Sequence, residues 1–187
     1  KMAKIGVFCS SLDGEKIFSE KAKELGALLA KENYSLVYGG GKLGLMGDLA
    51  KSVKKNDSEV ISVIPSYLNK PNITFSESDE IYETKDLFER KKKLIELSDV
   101  LIALPGGVGT LDEIFNVIAL FALGETNKSI FLLNINNSSG WAGWWYDDAS
   151  KPPRSKQNFK FVVVPAIDVG CTWIGVSEAR TRCVYLL

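Results

Sequence analysis

The chain has 187 residues, 45% hydrophobic and 25% charged, which reads as one ordinary globule with a real core. Its formal net charge is zero, which argues against non-specific nucleic-acid binding. It contains no histidine, which excludes a Ser-His-Asp triad, a Cys-His pair and any His-ligated metal. General acid–base work therefore falls to carboxylates, Lys, Tyr or Cys.

The three cysteines, Cys9, Cys171 and Cys183, are widely spread, so neither a disulfide framework nor a CxxC metal site is indicated. No metal and no cofactor are expected. Reduced thiols fit a cytoplasmic protein. No apolar run approaches the roughly 18 residues that a membrane span needs. The opening Lys1-Met2-Ala3-Lys4-Ile5 leads straight into a strand-like run, without a signal-peptide pattern.

Strand-like and helix-like segments alternate over residues 1–137. Ile5-Gly6-Val7-Phe8-Cys9 predicts a first strand, ended by Ser10-Ser11-Leu12-Asp13-Gly14. Phe18, Ala22, Leu25 and Leu29 then share one helical face. Leu36-Val37-Tyr38 predicts a second strand running into Gly39-Gly40-Gly41, and a helix follows from near Leu45 to Lys54. Val60 to Ile64 predicts the third strand, stopped by Pro65, and a short strand is expected near Ile81-Tyr82. Asp86 fits an N-cap with Glu89 in the capping-box position. Val100 to Leu104 predicts a fully apolar strand, Thr110 to Leu123 a helix, and Ile130 to Leu133 a last clear strand.

Apolar strands separated by helices imply a parallel sheet covered on both faces. The predicted fold is a Rossmann-like, doubly wound, three-layer α/β/α sheet, with ligands at the carboxyl ends of the strands. The loops at 9–14, 39–44 and 105–110 lie at such ends. Residues 138–187 form a separate tail that holds all four tryptophans and lacks helical periodicity. Phe161-Val162-Val163-Val164 is its one strand-like run.

The strongest chemical signal is Pro105-Gly106-Gly107-Val108-Gly109-Thr110-Leu111-Asp112-Glu113. A glycine loop between a strand and a helix lets the backbone approach an anion, and the helix N-terminus favours a phosphate. Thr110 can cap the helix and donate to a phosphate oxygen. A ligand-free tight turn has the same local pattern, and Glu113 alone also reads as an acid favoured by the helix dipole.

Gly39-Gly40-Gly41-Lys42-Leu43-Gly44-Leu45-Met46-Gly47 formally matches a dinucleotide fingerprint. It follows the second strand rather than the first, and the third strand ends without an acid for a ribose hydroxyl. That disfavours an NAD(P) oxidoreductase; a loop around a smaller ligand, or close helix–sheet packing, remains. Arg90-Lys91-Lys92-Lys93 reads as a solvated basic face, or as Arg90 aimed toward the loops to meet phosphate or carboxylate.

Taken together, Arg90-Lys91, the 105–113 segment beginning 14 residues after Lys91, Phe8-Cys9-Ser10-Ser11 and the 39–47 loop resemble the Lonely Guy (LOG) family. Its members are cytokinin riboside 5′-monophosphate phosphoribohydrolases, long labelled lysine decarboxylases. The resemblance covers residues 4 to 136. It implies a hydrolase that splits the N-glycosidic bond of a nucleoside 5′-monophosphate, such as AMP, into free base and ribose 5-phosphate. A pyridoxal-dependent lysine decarboxylase is rejected, because no Schiff-base lysine constellation is visible.

On this resemblance Arg90 and Glu113 are the catalytic pair. Gly106, Gly107, Gly109 and Thr110 hold the phosphate, Lys91 contacts ribose or base, and Gly40, Gly41, Met46 and Ser10 enclose sugar and base. A homodimer or higher homo-oligomer is also implied, without nucleic acid or membrane. The alternative is a non-catalytic carrier of the molybdenum-cofactor type, which would have no need of Arg90 and Glu113.

Overall fold

The computed structural model describes residues 2–135 and the backbone of residues 161–165. Among the described residues seven strands make one parallel sheet: β1 (Lys4–Phe8), β2 (Ser35–Tyr38), β3 (Val60–Pro65), β4 (Glu80–Thr84), β5 (Val100–Ala103), β6 (Ile130–Asn134) and β7 (Phe161–Pro165). Their order is β4-β3-β2-β1-β5-β6-β7. The chain winds outward from β1 in one direction, then restarts at β5 on the other side of β1. The switch point, where such sheets open a crevice for ligands, is therefore between β1 and β5. Val7 lies opposite both Tyr38 and Ile102 in the register.

The helices are α1 (Lys16–Lys31), α2 (Gly44–Lys55), α3 (Leu87–Leu97) and α4 (Val108–Ala122). Two apolar layers sandwich the sheet. Leu36 and Tyr38 of β2 join Ala22, Leu25 and Leu29 of α1 and Leu49 and Val53 of α2 in one core. Val37, between them in sequence, joins Leu94 of α3 and Ile114 and Val117 of α4 in the other. Successive side chains point to opposite faces and both faces are covered, so a central strand reads as a near-continuous apolar run. α1 and α2 pack closely because Gly26 has no side chain: a Cβ there would lie 2.7 Å from Ser52 Cβ.

The doubly wound α/β/α layout agrees with the sequence reading, and the boundaries differ where chemistry is ambiguous. β3 extends through Pro65, which fills the last ladder position opposite Thr84. α4 begins at Val108, with Gly107 as N-cap and no side-chain cap bond, so Thr110 sits in the first turn and does not cap. Asp86 does cap α3: its Oδ1 accepts from the Glu89 N–H at 2.8 Å. Glu89 reaches back to the amide of Lys85 at 2.8 Å, one residue before the usual capping-box position. The run at 161–165, read as part of the tail, adds to the sheet beside β6. The four tryptophans lie outside the described residues.

Candidate active site

Three loops meet at the carboxyl ends of β1, β2 and β5. Leu104 N–H donates to Phe8 O at 2.9 Å and so carries the β1–β5 pairing to the mouth of the 105–107 loop. Met46 N–H donates to Ser10 O at 3.1 Å, which ties the loop after β1 to the start of α2. Gly44, at φ 59°, allows that contact; a Cβ there would sit 2.5 Å from Leu12 O. The β2 loop is anchored on its other side, with Phe75 N–H donating to Gly40 O at 2.9 Å.

The loop after β5 presents α4 end-on. The first turn of a helix leaves its N–H groups without intrahelical acceptors, and Gly107 supplies no capping side chain. A Cβ at Gly106 would meet Thr110 Oγ1 at 2.0 Å, so Thr110 packs directly against the loop. At Gly107 and Gly109 a Cβ would meet nothing within 4 Å. No contact within the described residues requires glycine at those two positions, and the open space is what an approaching anion would use. A cavity of about 260 Å³ opens beside this loop, lined in part by Ser10, Asp13, Leu45, Pro105, Gly106 and Thr110.

Arg90 and Glu113 do not line this cavity, although Thr110 and Ile114 of the same helix as Glu113 do. Arg90, in the first turn of α3, donates through Nη1 to Glu113 Oε1 at 3.0 Å and through Nε to the Val63 carbonyl at 3.1 Å. The two side chains are 13% and 6% exposed, so this ion pair is largely shielded from water. Burial pushes the Glu113 carboxyl above its usual range; the Arg90 charge opposes this and Asp112 adds to it. Cys9, buried at the end of β1, feels both charges. Its thiol is pushed well up, first by burial and then by Glu113, and stays neutral.

Lys91 behaves differently from its neighbour. Its Nζ holds both carboxylate oxygens of Asp112, at 3.0 and 2.8 Å, and lies 5.0 Å from the Phe88 ring centre. It therefore bridges α3 to α4 outside the Arg90–Glu113 pair. Lys92 and Lys93 each lie 3.9 Å from Glu96, the solvated basic face that the sequence allowed.

The structure thus brings Ser10, Gly40, Gly41, Met46, Arg90, Gly106, Thr110 and Glu113 to one end of the sheet. Sequence reasoning did not single out Cys9, the Val63 carbonyl or Asp112 as site residues, and it read Gly39 only as part of the glycine loop. Only Asp112 carried a local signal, as a second acid in the first turns of a helix.

A doubly wound sheet whose switch point carries an open helix N-terminus beside a buried Arg–carboxylate pair defines a Rossmann-like protein with a candidate anion site. Within that class the chain belongs to the LOG family, whose model, described as "Possible lysine decarboxylase", matches residues 46–157. That match runs beyond residue 137. The chain is 42% identical over 136 residues to the cytokinin riboside 5′-monophosphate phosphoribohydrolase LOG1 of Arabidopsis thaliana, covering 72% of this chain and 64% of that protein. It is 34% identical over 167 residues to LOG5 of the same plant, covering 89% and 73%. A rice relative, "Probable cytokinin riboside 5′-monophosphate phosphoribohydrolase LOGL9", is 40% identical over 137 residues, and the chain spans 60% of its length.

Among solved structures, the Moco carrier protein of Chlamydomonas reinhardtii aligns with TM-score 0.65 at 23% identity over 88% of this chain and 91% of that one. The molybdenum cofactor binding protein of Rippkaea orientalis gives 0.64 at 22%, with the same coverage. These likenesses show the fold.

Proposed function

We propose that the protein hydrolyses the N-glycosidic bond of a nucleoside 5′-monophosphate, releasing free base and ribose 5-phosphate. The observation that carries this reading is the buried Arg90–Glu113 pair beside the open N-terminus of α4. The names of the plant relatives supply the reaction class.

In this reading the 5′-phosphate lies on the N–H groups of Gly106, Gly107, Gly109 and Thr110, where the helix dipole adds to the hydrogen bonds. The sugar then reaches toward Glu113, with Ser10, Gly40, Gly41 and Met46 enclosing sugar and base. As the bond to the base breaks, positive charge grows at the anomeric carbon, as in glycoside hydrolysis. Ionised Glu113 faces that charge and takes a proton from the attacking water. A carboxyl whose pKa is raised by burial is a better proton acceptor than an ordinary one. Arg90 holds the carboxylate in place. A Lys91 contact to substrate requires it to leave Asp112. No pyridoxal chemistry enters.

All these residues fall within 1–137, which we take as the catalytic domain; residues 138–187 are then an appended tail that supplies β7. A cytoplasmic setting fits Cys9, a buried free thiol. A homodimer fits the exposed apolar residues Leu87 and Phe88 of α3 and Val108 and Phe115 of α4, which flank the Lys91–Asp112 bridge. Gel filtration at a dimer's volume is expected; a monomer's volume contradicts it.

A molybdenum-cofactor carrier shares the scaffold but has no use for a buried acid–arginine pair. A panel of nucleoside monophosphates separates the two readings: base and ribose 5-phosphate appear if the protein is a hydrolase, and binding without turnover marks a carrier.

A further inference from the structure

Arg90 lies in a slot floored by Gly39. Its Nε is held by the Val63 carbonyl at 3.1 Å and its Nη1 by Glu113 at 3.0 Å. The third nitrogen, Nη2, occupies the space where a side chain at position 39 would start. A Cβ on Gly39 would fall 1.9 Å from Nη2 and 3.1 Å from Cζ. Real Cβ atoms do not approach so closely, and the guanidinium cannot swing aside without breaking the two bonds that fix it. The third neighbour, the Met46 methyl, would be at 3.1 Å and is the flexible end of a long side chain.

The backbone does not explain this glycine. Among the described residues Gly40, Gly44 and Gly124 have positive φ, and Gly39 does not. Gly39 therefore adopts a conformation open to any residue, and what it contributes is space.

We propose that Gly39 is a positioning residue for the reaction: its missing side chain leaves room for the Arg90 guanidinium to reach Glu113 and so fixes the carboxylate that faces the anomeric carbon. The role rests on the hydrolase reading. Gly39 touches no reacting atom and acts through Arg90. It differs from Gly107 and Gly109, which face open space.

The test is a double-substitution cycle with Gly39→Ala and Arg90→Lys. Lysine ends in one ammonium and has no second arm to meet the new methyl. In the wild-type background Gly39→Ala should lower kcat on AMP by about 10²-fold, the cost of a misplacement near 1 Å, while KM changes less. The acid limb of the pH–rate profile should move up, because a displaced cation no longer holds down the Glu113 pKa. In the Arg90→Lys background Gly39→Ala should change neither kcat nor melting temperature. Equal losses in both backgrounds, or an unshifted pH profile, overturn the proposal.

If Gly39→Ala alone fails to fold, the double variant should still melt like Arg90→Lys; an unfolded double variant overturns the proposal. Should the wild type release no base from any monophosphate, the hydrolase reading fails by itself. A carboxyl-carbon NMR titration of Glu113 then decides the inference: a pKa raised in Gly39→Ala supports it, and an unchanged one overturns it.

Discussion

Arg90 and Glu113 come from different helices, 23 positions apart in sequence, and meet at 3.0 Å with both side chains almost out of water. Removing one member of such a pair leaves the other as an uncompensated buried charge. Arg90→Met is expected to cost about 3–5 kcal/mol in urea denaturation. A loss below about 1 kcal/mol, the range of exposed pairs, contradicts the buried geometry.

Glu113→Gln keeps the shape and an acceptor for Arg90 while removing the ionisable oxygen. Release of adenine from AMP should fall by about 10²–10⁴-fold, the usual contribution of a positioned acid–base group. AMP binding, measured by calorimetry, should persist, because in the proposed reading the phosphate is held by backbone N–H groups of the 106–110 loop and not by Glu113.

The raised Glu113 pKa has opposite consequences for activity and stability. In the proposed mechanism the ionised form is the reactive one, so kcat/KM should rise with pH through a value above the ordinary 4.5. The ionised form is also the costly one when buried. The stability it contributes is present below the unfolded pKa and is lost as pH rises through the raised folded value. Over that window wild-type stability should fall relative to Glu113→Gln, as paired melts at stepped pH would show. An acid limb at or below 4.5, or parallel melting curves, contradicts the assignment.

The glycines of the 105–110 loop separate into two kinds. Gly106→Ala drives a methyl into Thr110 Oγ1, so both stability and activity should fall. Gly109→Ala meets no protein atom and replaces a poor helix former in α4, so stability should rise by about 0.5–1 kcal/mol. If a phosphate approaches this backbone, Gly109→Ala should nevertheless raise the KM for AMP. An unchanged KM places the phosphate elsewhere.

Lys91 and Asp112 offer a contrast with the buried pair. Asp112 is 59% exposed while Lys91 is 11% exposed, so the pair is half shielded and Asp112→Asn should cost less in stability than the ~3–5 kcal/mol expected for breaking the buried pair. Freed of its partner, Lys91 becomes available to the ligand, and the KM for AMP should fall if Lys91 contacts substrate. An unchanged KM leaves Lys91 as a helix-to-helix bridge.

Much of this fold was legible because buried parallel strands must be apolar on both faces, and Val60 to Ile64 or Val100 to Ala103 have no other simple reading. Edges and ends were harder. β4 is exposed at Glu80, Ile81 and Glu83, so its sequence carries only a weak strand pattern. The start of α4 is hidden by Gly107, Val108 and Gly109, poor helix formers that suit an open N-terminus. The site divides the same way. The glycine loop is local and readable. The Arg90–Glu113 bond needs α3 and α4 packed on one face of the sheet, which no spacing within either helix reveals. Residues 90 and 91 are adjacent and chemically alike, yet one turns into the site and the other to Asp112. Only the packing distinguishes them.

The central claim is tested most directly by incubating the protein with AMP and quantifying adenine and ribose 5-phosphate, beside the Glu113→Gln variant. The account predicts equal amounts of both products from the wild type and almost none from the variant. Bound but intact AMP, or products other than this pair, would contradict it.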